Sequence, residues 1–168
     1  MDVKILEIKT KSWANSKIEL VNKDKSRLPS ISDGWRFNFR KHSKNKNYKT
    51  YILTTYKTPK IIEGCLILDH KSPHQVYMAY IEIAPHNKGI AKKYNRVAGC
   101  LIAFACRRSF VEGKEGYVAF DVLEESHENE KKLMEMYSKK YKAVRLDNTT
   151  TMIILPEGSE KLINEFLK

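Results

Sequence analysis

The sequence of 168 residues is 42% hydrophobic and carries a formal net charge of +11 at pH 7. This length and composition suit one globular domain with a real core, which we expect to span residues 1–168. No apolar run approaches the roughly 20 residues that cross a bilayer, so these features exclude a protein that spans a membrane by helices.

The N-terminus and the cysteines indicate the compartment. The first ten residues, MDVKILEIKT, contain neither the apolar run nor the cleavage site of a signal peptide, and we expect a cytoplasmic protein. Cys65, Cys100 and Cys106 are an odd number, which favours reduced thiols. Their spacing to histidines does not suggest a metal, so we expect no metal site.

The positive charge is concentrated in the first third of the chain. Residues 1–60 contain 15 Lys and Arg against 5 Asp and Glu, whereas residues 61–168 contain 16 against 15. A run of charges is usually a solvated surface. Clustered cations also raise the encounter rate with an anionic partner, so both interpretations stay open.

In chain order, the first third predicts a strand and a helix. Residues 3–8 roughly alternate in polarity and predict the first strand. Residues 12–21 are interpreted as a short helix with apolar contacts from Trp13, Ile18 and Leu20. Residues 28–34 are rich in turn-forming types, and the segment after them is not assigned.

The remaining two thirds give clearer patterns. Residues 48–55, 61–68 and 75–84 predict three strands of an antiparallel meander. Apolar residues recur at helical spacing from Ile90, which predicts a central helix that stops near Gly113. A strand at 116–122, a helix at 126–140 capped by Ser126, strands at 142–146 and 149–155, and a tail helix from Pro156 complete the order.

The connection into the central helix predicts an anion site. An apolar strand ends at Ala84, the loop at 86–89 contains Gly89, and a helix follows. The first amides of a helix have no intrahelical partner, and the helix dipole favours negative charge there. An ordinary basic strand-to-helix connection is the alternative.

The order of elements and this loop resemble the GNAT family of acetyl-CoA-dependent N-acetyltransferases. The resemblance implies an α/β fold with a mixed, largely antiparallel sheet. Its order is strand, two helices, three-strand meander, cofactor helix, strand, helix and final strand pair, followed here by a short C-terminal helix. The likeness covers residues 48–155, whereas the first third agrees only in the number of elements.

Two motifs carry the resemblance. The family's phosphate loop, Q/R-x-x-G-x-G/A, matches residues 86–91 (HNKGIA) in its Gly and Ala, with His86 replacing Gln or Arg. A rival register at residues 93–98 (KYNRVA) would put Arg96 at the first Gly and break the apolar stripe from Ile90, so we choose the earlier register. The later segment LMEMYSKKY is similar to the family's A-x-x-x-Y-x-K-x-G-F segment and aligns Tyr137 with its Tyr.

The resemblance implies transfer of an acetyl group from acetyl-CoA to a primary amine by direct attack in a ternary complex. The acceptor would be a small molecule or a protein, and the enzyme a monomer or a homodimer. The resemblance assigns the cosubstrate to the edge of the fourth family strand and to the loop after it: Ile83, Ala84, Asn87, Lys88, Gly89, Ile90, Ala91 and Lys92.

The resemblance also suggests two catalytic residues. Glu82 on the strand before the loop would be the general base, and Tyr137 would protonate the leaving thiolate. The alternatives are a half-exposed Glu82 bonded to a lysine and a Tyr137 that belongs to the core.

Two other classes of function stay open. A noncatalytic acyl-CoA-binding protein would keep the cosubstrate site without the acid and base. A nucleic-acid-binding module would use the basic first third, with Trp13, Trp35, Tyr48 and Tyr51 for stacking. No groove-reading helix motif supports the latter.

Overall fold

One nine-stranded sheet organises the structure, a computed structural model that describes residues 1–168. Its strands are β1 (Asp2–Glu7), β2 (Ser12–Leu20), β3 (Tyr48–Thr55), β4 (Gly64–Asp69), β5 (Val76–Ile83), β6 (Tyr94–Asn95), β7 (Val118–Asp121), β8 (Ala143–Arg145) and β9 (Thr151–Ile154). The helices are α1 (Phe39–His42), α2 (Val97–Val111), α3 (His127–Tyr141) and α4 (Pro156–Phe166). None of the four helices has the length and apolarity that crossing a membrane requires.

The strands lie in the order β6-β1-β2-β3-β4-β5-β7-β9-β8. All neighbours are antiparallel except β5 and β7, which α2 connects as a crossover. This parallel pair is short, because only Val76 with Val118 and Tyr77 with Ala119 are in register. Beyond them the two strands separate, and a gap opens in the middle of the sheet.

The two faces of the sheet have different cores. Helices α2, α3 and α4 cover one face, here called the helix face, where Leu101, Phe120 and Leu162 belong to one buried cluster. The segment 21–47 covers the opposite face, where Trp35 and Phe39 pack in a smaller cluster. Burial of apolar side chains on both faces explains why the central strands read as nearly continuous apolar runs.

The predicted helix at 12–21 is wrong, because these residues form β2. Its inward side chains, Ala14, Ser16 and Ile18, alternate with outward ones, but only Ile18 is a large apolar residue. Trp13, which the helix interpretation turned inward, is 56% exposed. The pairing of β2 with both β1 and β3 outweighs the weak local pattern.

The central helix begins seven residues later than predicted, at Val97 instead of Ile90. Ile90 is fully exposed, so it is not part of the apolar stripe. The chain first forms β6, which pairs with β1, and the Asn87 side chain holds this strand by accepting from the Tyr94 amide at 3.0 Å. A tertiary strand pairing therefore replaces the first two predicted turns of the helix.

The other elements of the last two thirds are confirmed. The meander forms as β3, β4 and β5, and the strand after the central helix is β7. The Ser126 hydroxyl caps α3 by accepting from the Asn129 amide at 3.2 Å. Cys65, Cys100 and Cys106 are buried free thiols.

Helix α4 docks on the first turn of α2 through Gly99. A Cβ atom at this position would lie 2.1 Å from the Phe166 ring, so only glycine allows the contact. The docking covers Gly99 in the first turn of α2, whereas the neighbouring Ala98 borders a cavity that β5 and α3 also line.

Candidate active site

The gap between β5 and β7 contains the candidate active site. A cavity of about 260 Å³ lies on its helix face. Its walls are the end of β5, the first turns of α2 and the inner side of α3, with Ile81, Ile83, Ala98, Ile102, Leu133, Met136, Tyr137 and Tyr141 among the lining residues. Since β5 has no strand partner on this side beyond Tyr77, its backbone edge borders the cavity.

A smaller cavity of about 100 Å³ lies at the same gap. Its walls include Phe37, Tyr80 and Leu123, and it shares Ile81, Leu133 and Tyr137 with the first cavity. The two cavities therefore meet around the Tyr137 side chain.

Packing holds Tyr137 in place. Its ring lies 4.7 Å from the Phe120 ring and 5.9 Å from the Tyr141 ring, centroid to centroid. The hydroxyl makes no hydrogen bond within the chain. Burial raises the pKa of Tyr137 above 10, an effect that Arg36 opposes and Glu124 reinforces. The phenol therefore keeps its proton at neutral pH and can donate it.

Glu82 is buried, not half-exposed, and both of its carboxylate oxygens are engaged. Oε1 accepts from the Arg36 amide at 2.8 Å and from Lys88 Nζ at 2.6 Å. Oε2 accepts from the Phe37 amide at 3.0 Å. These contacts fasten the segment on the opposite face to the end of β5. Its role as a general base stays a prediction.

At the α2 N-terminus, Ala98 lines the larger cavity. The first intrahelical bond runs from the Cys100 amide to the Arg96 carbonyl, so the amides of Val97, Ala98 and Gly99 lack intrahelical partners. Arg96 precedes the helix with φ of 74°, a conformation that glycine adopts most readily. The rival register at 93–98 places Arg96 and Ala98 at this N-terminus. The earlier register assumed that the helix begins at Ile90, and that boundary is wrong.

The predicted cosubstrate residues divide into three groups. Ile83 and Lys88 line the larger cavity together with Glu82 and Tyr137. Ala84 and Asn87 are buried beneath the loop. The remaining four precede the helix by several residues, with Gly89, Ile90 and Ala91 exposed and Lys92 half-buried.

A buried carboxylate anchors this loop. Glu63 is fully buried, and its Oε2 accepts from Asn87 Nδ2 at 2.8 Å and from His86 Nε2 at 2.5 Å. The sequence signal for this anchor is Glu63 itself, an acidic residue within the apolar run 61–68. A buried charge needs partners, so its position predicts that nearby polar groups bind it. Asn87 and His86 therefore hold the loop, and their side chains are already engaged.

Arg36 and Glu124 are the site residues that no motif predicts. Both line both cavities, and they form an ion pair with 2.6 Å between Arg36 Nη1 and Glu124 Oε1. The only signal is the acidic pair 124–125 directly after an apolar strand. Arg36 lies in the unassigned segment and carries no local signal.

A further cavity of about 690 Å³ lies elsewhere. It is a groove between the β1–β2 hairpin and the end of α4, where the Arg96 guanidinium lies between the Trp13 and Phe166 rings. None of the predicted catalytic residues contributes to it.

No protein-family model matches the sequence, and neither does any curated protein. Solved structures are similar in fold. A chimera of the spermidine N-acetyltransferase SpeG from Vibrio cholerae and hSSAT is 16% identical with a TM-score of 0.57, covering 87% of this chain and 98% of its own. AtaTR bound with AcCoA is 16% identical with a TM-score of 0.57, covering 88% and 98%. Tetrahymena GCN5 is 10% identical with a TM-score of 0.51, covering 83% and 97%.

These structures share the GNAT acetyltransferase fold, and the present chain has that fold over most of its length. The resemblance inferred from the two motifs is confirmed at the level of the fold. The likeness extends into the first third, although that part contains β2 and only a four-residue helix.

Proposed function

We propose that the protein is an N-acetyltransferase that transfers an acetyl group from acetyl-CoA to a primary amine. One observation carries the proposal: the cavity beside β5 is lined by Ala98 in the first turn of α2 and by the half-buried phenol of Tyr137, which also lines a second cavity. This arrangement offers one site for an anion, one for an extended arm and one for proton donation. The proposal treats residues 1–168 as one acetyltransferase domain, since all strands belong to one sheet.

The N-terminus of α2 is proposed to bind the pyrophosphate. The amides of Val97, Ala98 and Gly99 would donate to it, and the helix dipole would favour its charge. Ala98 borders the cavity with a side chain small enough to let phosphate oxygens approach. The loop lysines are Lys92 and Lys88, of which Lys88 already pairs with Glu82, while Gly89 and Ile90 are too exposed to form a wall.

The free edge of β5 is proposed to bind the pantetheine arm. Amide groups of that arm can extend a sheet by one strand at an unpaired edge. Ile81 and Ile83 on β5, together with Ile102 and Met136 from the helices, give the arm an apolar channel. The channel leads from the α2 N-terminus to Tyr137.

The proposed reaction is direct attack of the amine on the thioester. The acceptor ammonium first gives one proton to solvent; the free amine nitrogen then forms a bond to the acetyl carbon, the carbon–sulfur bond breaks, and a second proton passes from nitrogen to solvent. Tyr137 gives its phenolic proton to the departing sulfur, and solvent restores it. The other residues of the gap bind the substrates, orient them and exclude water.

An acetylation assay tests the proposal. The purified protein is incubated with acetyl-CoA and a panel of primary amines, with thiol release followed optically and products identified by mass. We expect thiol release that depends on an amine. Absence of acetyl-CoA binding in calorimetry would overturn the proposal. Binding without thiol release for any amine would favour the noncatalytic acyl-CoA-binding alternative.

A further inference from the structure

An ion pair bridges the gap between β5 and β7. Arg36 extends from the segment on the opposite face of the sheet, and its guanidinium reaches the connection between β7 and α3. Its Nη1 donates to Glu124 Oε1 at 2.6 Å, and its Nη2 donates to the Leu123 carbonyl at 3.1 Å. One planar cation therefore occupies two acceptors at the edge of the gap.

This cation lies beside the proposed acid. Arg36, Glu124 and Tyr137 line both cavities of the gap. The charges of Arg36 and Glu124 also act in opposite directions on the pKa of Tyr137, in keeping with their position in the lining of the same cavities. An amine that attacks a thioester next to Tyr137 must pass close to the same carboxylate.

Glu124 differs from the other carboxylates of the gap in how it is neutralised. Glu82 is held by two backbone amides and Lys88, in a buried environment. Asp121 accepts from the hydroxyls of Tyr77, Thr150 and Thr151. Glu124 is only 18% exposed in its side chain, and its side-chain partner is Arg36, whose side chain is 48% exposed.

An exposed guanidinium is easily exchanged for another cation. Ion pairs with an exposed partner contribute little to stability, because water competes for both groups. Releasing Arg36 would leave a largely buried carboxylate without a counter-charge, and such a group strongly attracts a replacement. Apart from Asp121, whose carboxylate already accepts from three hydroxyls, the remaining residues that line the smaller cavity are hydrophobic, among them Phe37, Leu123 and Leu133.

We propose that Glu124 and the Leu123 carbonyl bind the ammonium group of the acceptor, and that Arg36 occupies this subsite until the acceptor displaces it. The acceptor class is then a monocationic amine with an apolar body. Arg36 acts as an internal competitor that excludes weakly binding amines. The inference rests on the proposed function and deepens it by naming the substrate class of the same site.

The test compares a charged probe with a neutral one. Phenethylamine, as its ammonium, and 2-phenylethanol are titrated into the CoA-saturated protein, and dissociation constants are read from methyl resonances in NMR. We expect the native protein to prefer the ammonium. Glu124→Gln should remove that preference by weakening ammonium binding about tenfold, as loss of a charge-assisted hydrogen bond does.

Arg36→Gln gives the opposite expectation. With the competitor removed, ammonium binding should strengthen severalfold, whereas binding of the alcohol should change little. The double variant should behave like Glu124→Gln. Glu128→Gln is the matched control, because Glu128 forms an exposed pair with Lys132 on α3 and should change neither constant.

Three outcomes would overturn the inference. They are no ammonium preference in the native and Arg36→Gln proteins, an unchanged preference in Glu124→Gln, and ammonium binding that stays equal or weakens in Arg36→Gln. Calorimetry with acetyl-CoA on the same variants separates this from the proposed function. Native acetyl-CoA affinity with any of these results rejects the subsite alone, whereas no affinity in the native protein rejects both.

Discussion

The Tyr137 side chain lines both cavities of the gap, and aromatic packing, not hydrogen bonding, positions its ring. A substitution that removes only the hydroxyl oxygen should therefore leave the neighbouring side chains undisturbed. Its role in proton donation can therefore be separated from its role in packing. Glu82 differs, because its carboxylate accepts three hydrogen bonds. A substitution there changes the packing of the segment as well as any catalytic role.

Tyr137→Phe should reduce turnover at least tenfold, because positioned acid catalysis typically contributes about 10²–10⁴-fold. The melting temperature should stay close to the native value, since the substitution removes no intramolecular hydrogen bond. Acetyl-CoA affinity should also be retained. Steady-state thiol release and thermal unfolding measure both effects, and a native rate in a normally melting variant would mean that Tyr137 is only packing.

The pH dependence of Tyr137 follows from the direction of its shift. Burial raises its pKa above the ordinary value of about 10, so the protonated form persists across neutral and mildly alkaline pH. Any loss of turnover due to ionisation of Tyr137 should therefore begin only above about pH 10.

Glu82→Gln distinguishes positioning from base catalysis. The amide would present an N–H₂ group to donors that now face a carboxylate, and each charge-assisted hydrogen bond is worth about 1.5–3 kcal/mol. We expect a lower free energy of unfolding, and the acid limb of the pH–rate profile then decides the predicted base role, because it stays in place if Glu82 only positions the segment. If the variant unfolds like the native protein but loses turnover together with that limb, Glu82 is the base.

At the scale of the element, α2 decides where an anion can bind. Its N-terminus lies at Val97, beside the end of β5, and the loop that precedes it is fastened by Asn87 and Glu63. The exposed residues 89–91 lie outside this arrangement. We therefore assign the proposed pyrophosphate site to the first turn of α2, where the helix begins, and not to Gly89.

Ala98→Glu should weaken acetyl-CoA binding more than tenfold. The new carboxylate would compete for the first-turn amides and repel the pyrophosphate. Gly89→Asn is the matched control, because Asn tolerates the left-handed φ of 74° and no atom lies within 4 Å of its added Cβ. Calorimetry measures both affinities. A large loss in Gly89→Asn with native affinity in Ala98→Glu would restore the earlier register.

The sequence could predict those elements whose patterns are long and apolar. The strands of the meander and α3 have clear apolar patterns, and α3 also has a capping serine. Local sequence patterns could therefore predict these elements. β2 was not, since its inward face is made largely of Ala14 and Ser16. The start of α2 depends on β6 pairing with β1, and Arg36 meets Glu124 across 88 residues of sequence. Long-range contacts of this kind leave no local pattern.

At the scale of the whole molecule, the two ends of α2 differ in their charges. Its C-terminal end carries a cluster around Glu112, which lies 2.6 Å from His70, 2.7 Å from Arg108 and 3.3 Å from Lys114. The helix spans about 22 Å at 1.5 Å per residue, so this cluster is remote from the proposed pyrophosphate site. It should influence stability without influencing binding.

Glu112→Gln should change the acid stability of the protein. Burial raises the pKa of Glu112, but hydrogen bonds from His70, Arg108 and Lys114 outweigh it and lower the pKa to about 2. Because the folded pKa lies below the unfolded value of about 4.3, the stability from Glu112 is present above that value and is lost as pH falls toward 2.

Urea unfolding at pH 7 and pH 3 measures this contribution. We expect Glu112→Gln to be less stable at pH 7 and to lose less stability on acidification than the native protein. Glu160→Gln, an exposed substitution on α4, is the control and should follow the native curve. Equal acid dependence in the native and Glu112→Gln proteins would contradict the role of the cluster.

A crystal structure with a non-hydrolysable acetyl-CoA analogue tests the central claim most directly. The account predicts the pyrophosphate on the amides of Val97, Ala98 and Gly99, the pantetheine arm along the free edge of β5, and the acyl carbonyl beside Tyr137. The contradictory result is an analogue bound in the groove between Trp13 and Phe166, or at any position that leaves the gap between β5 and β7 empty.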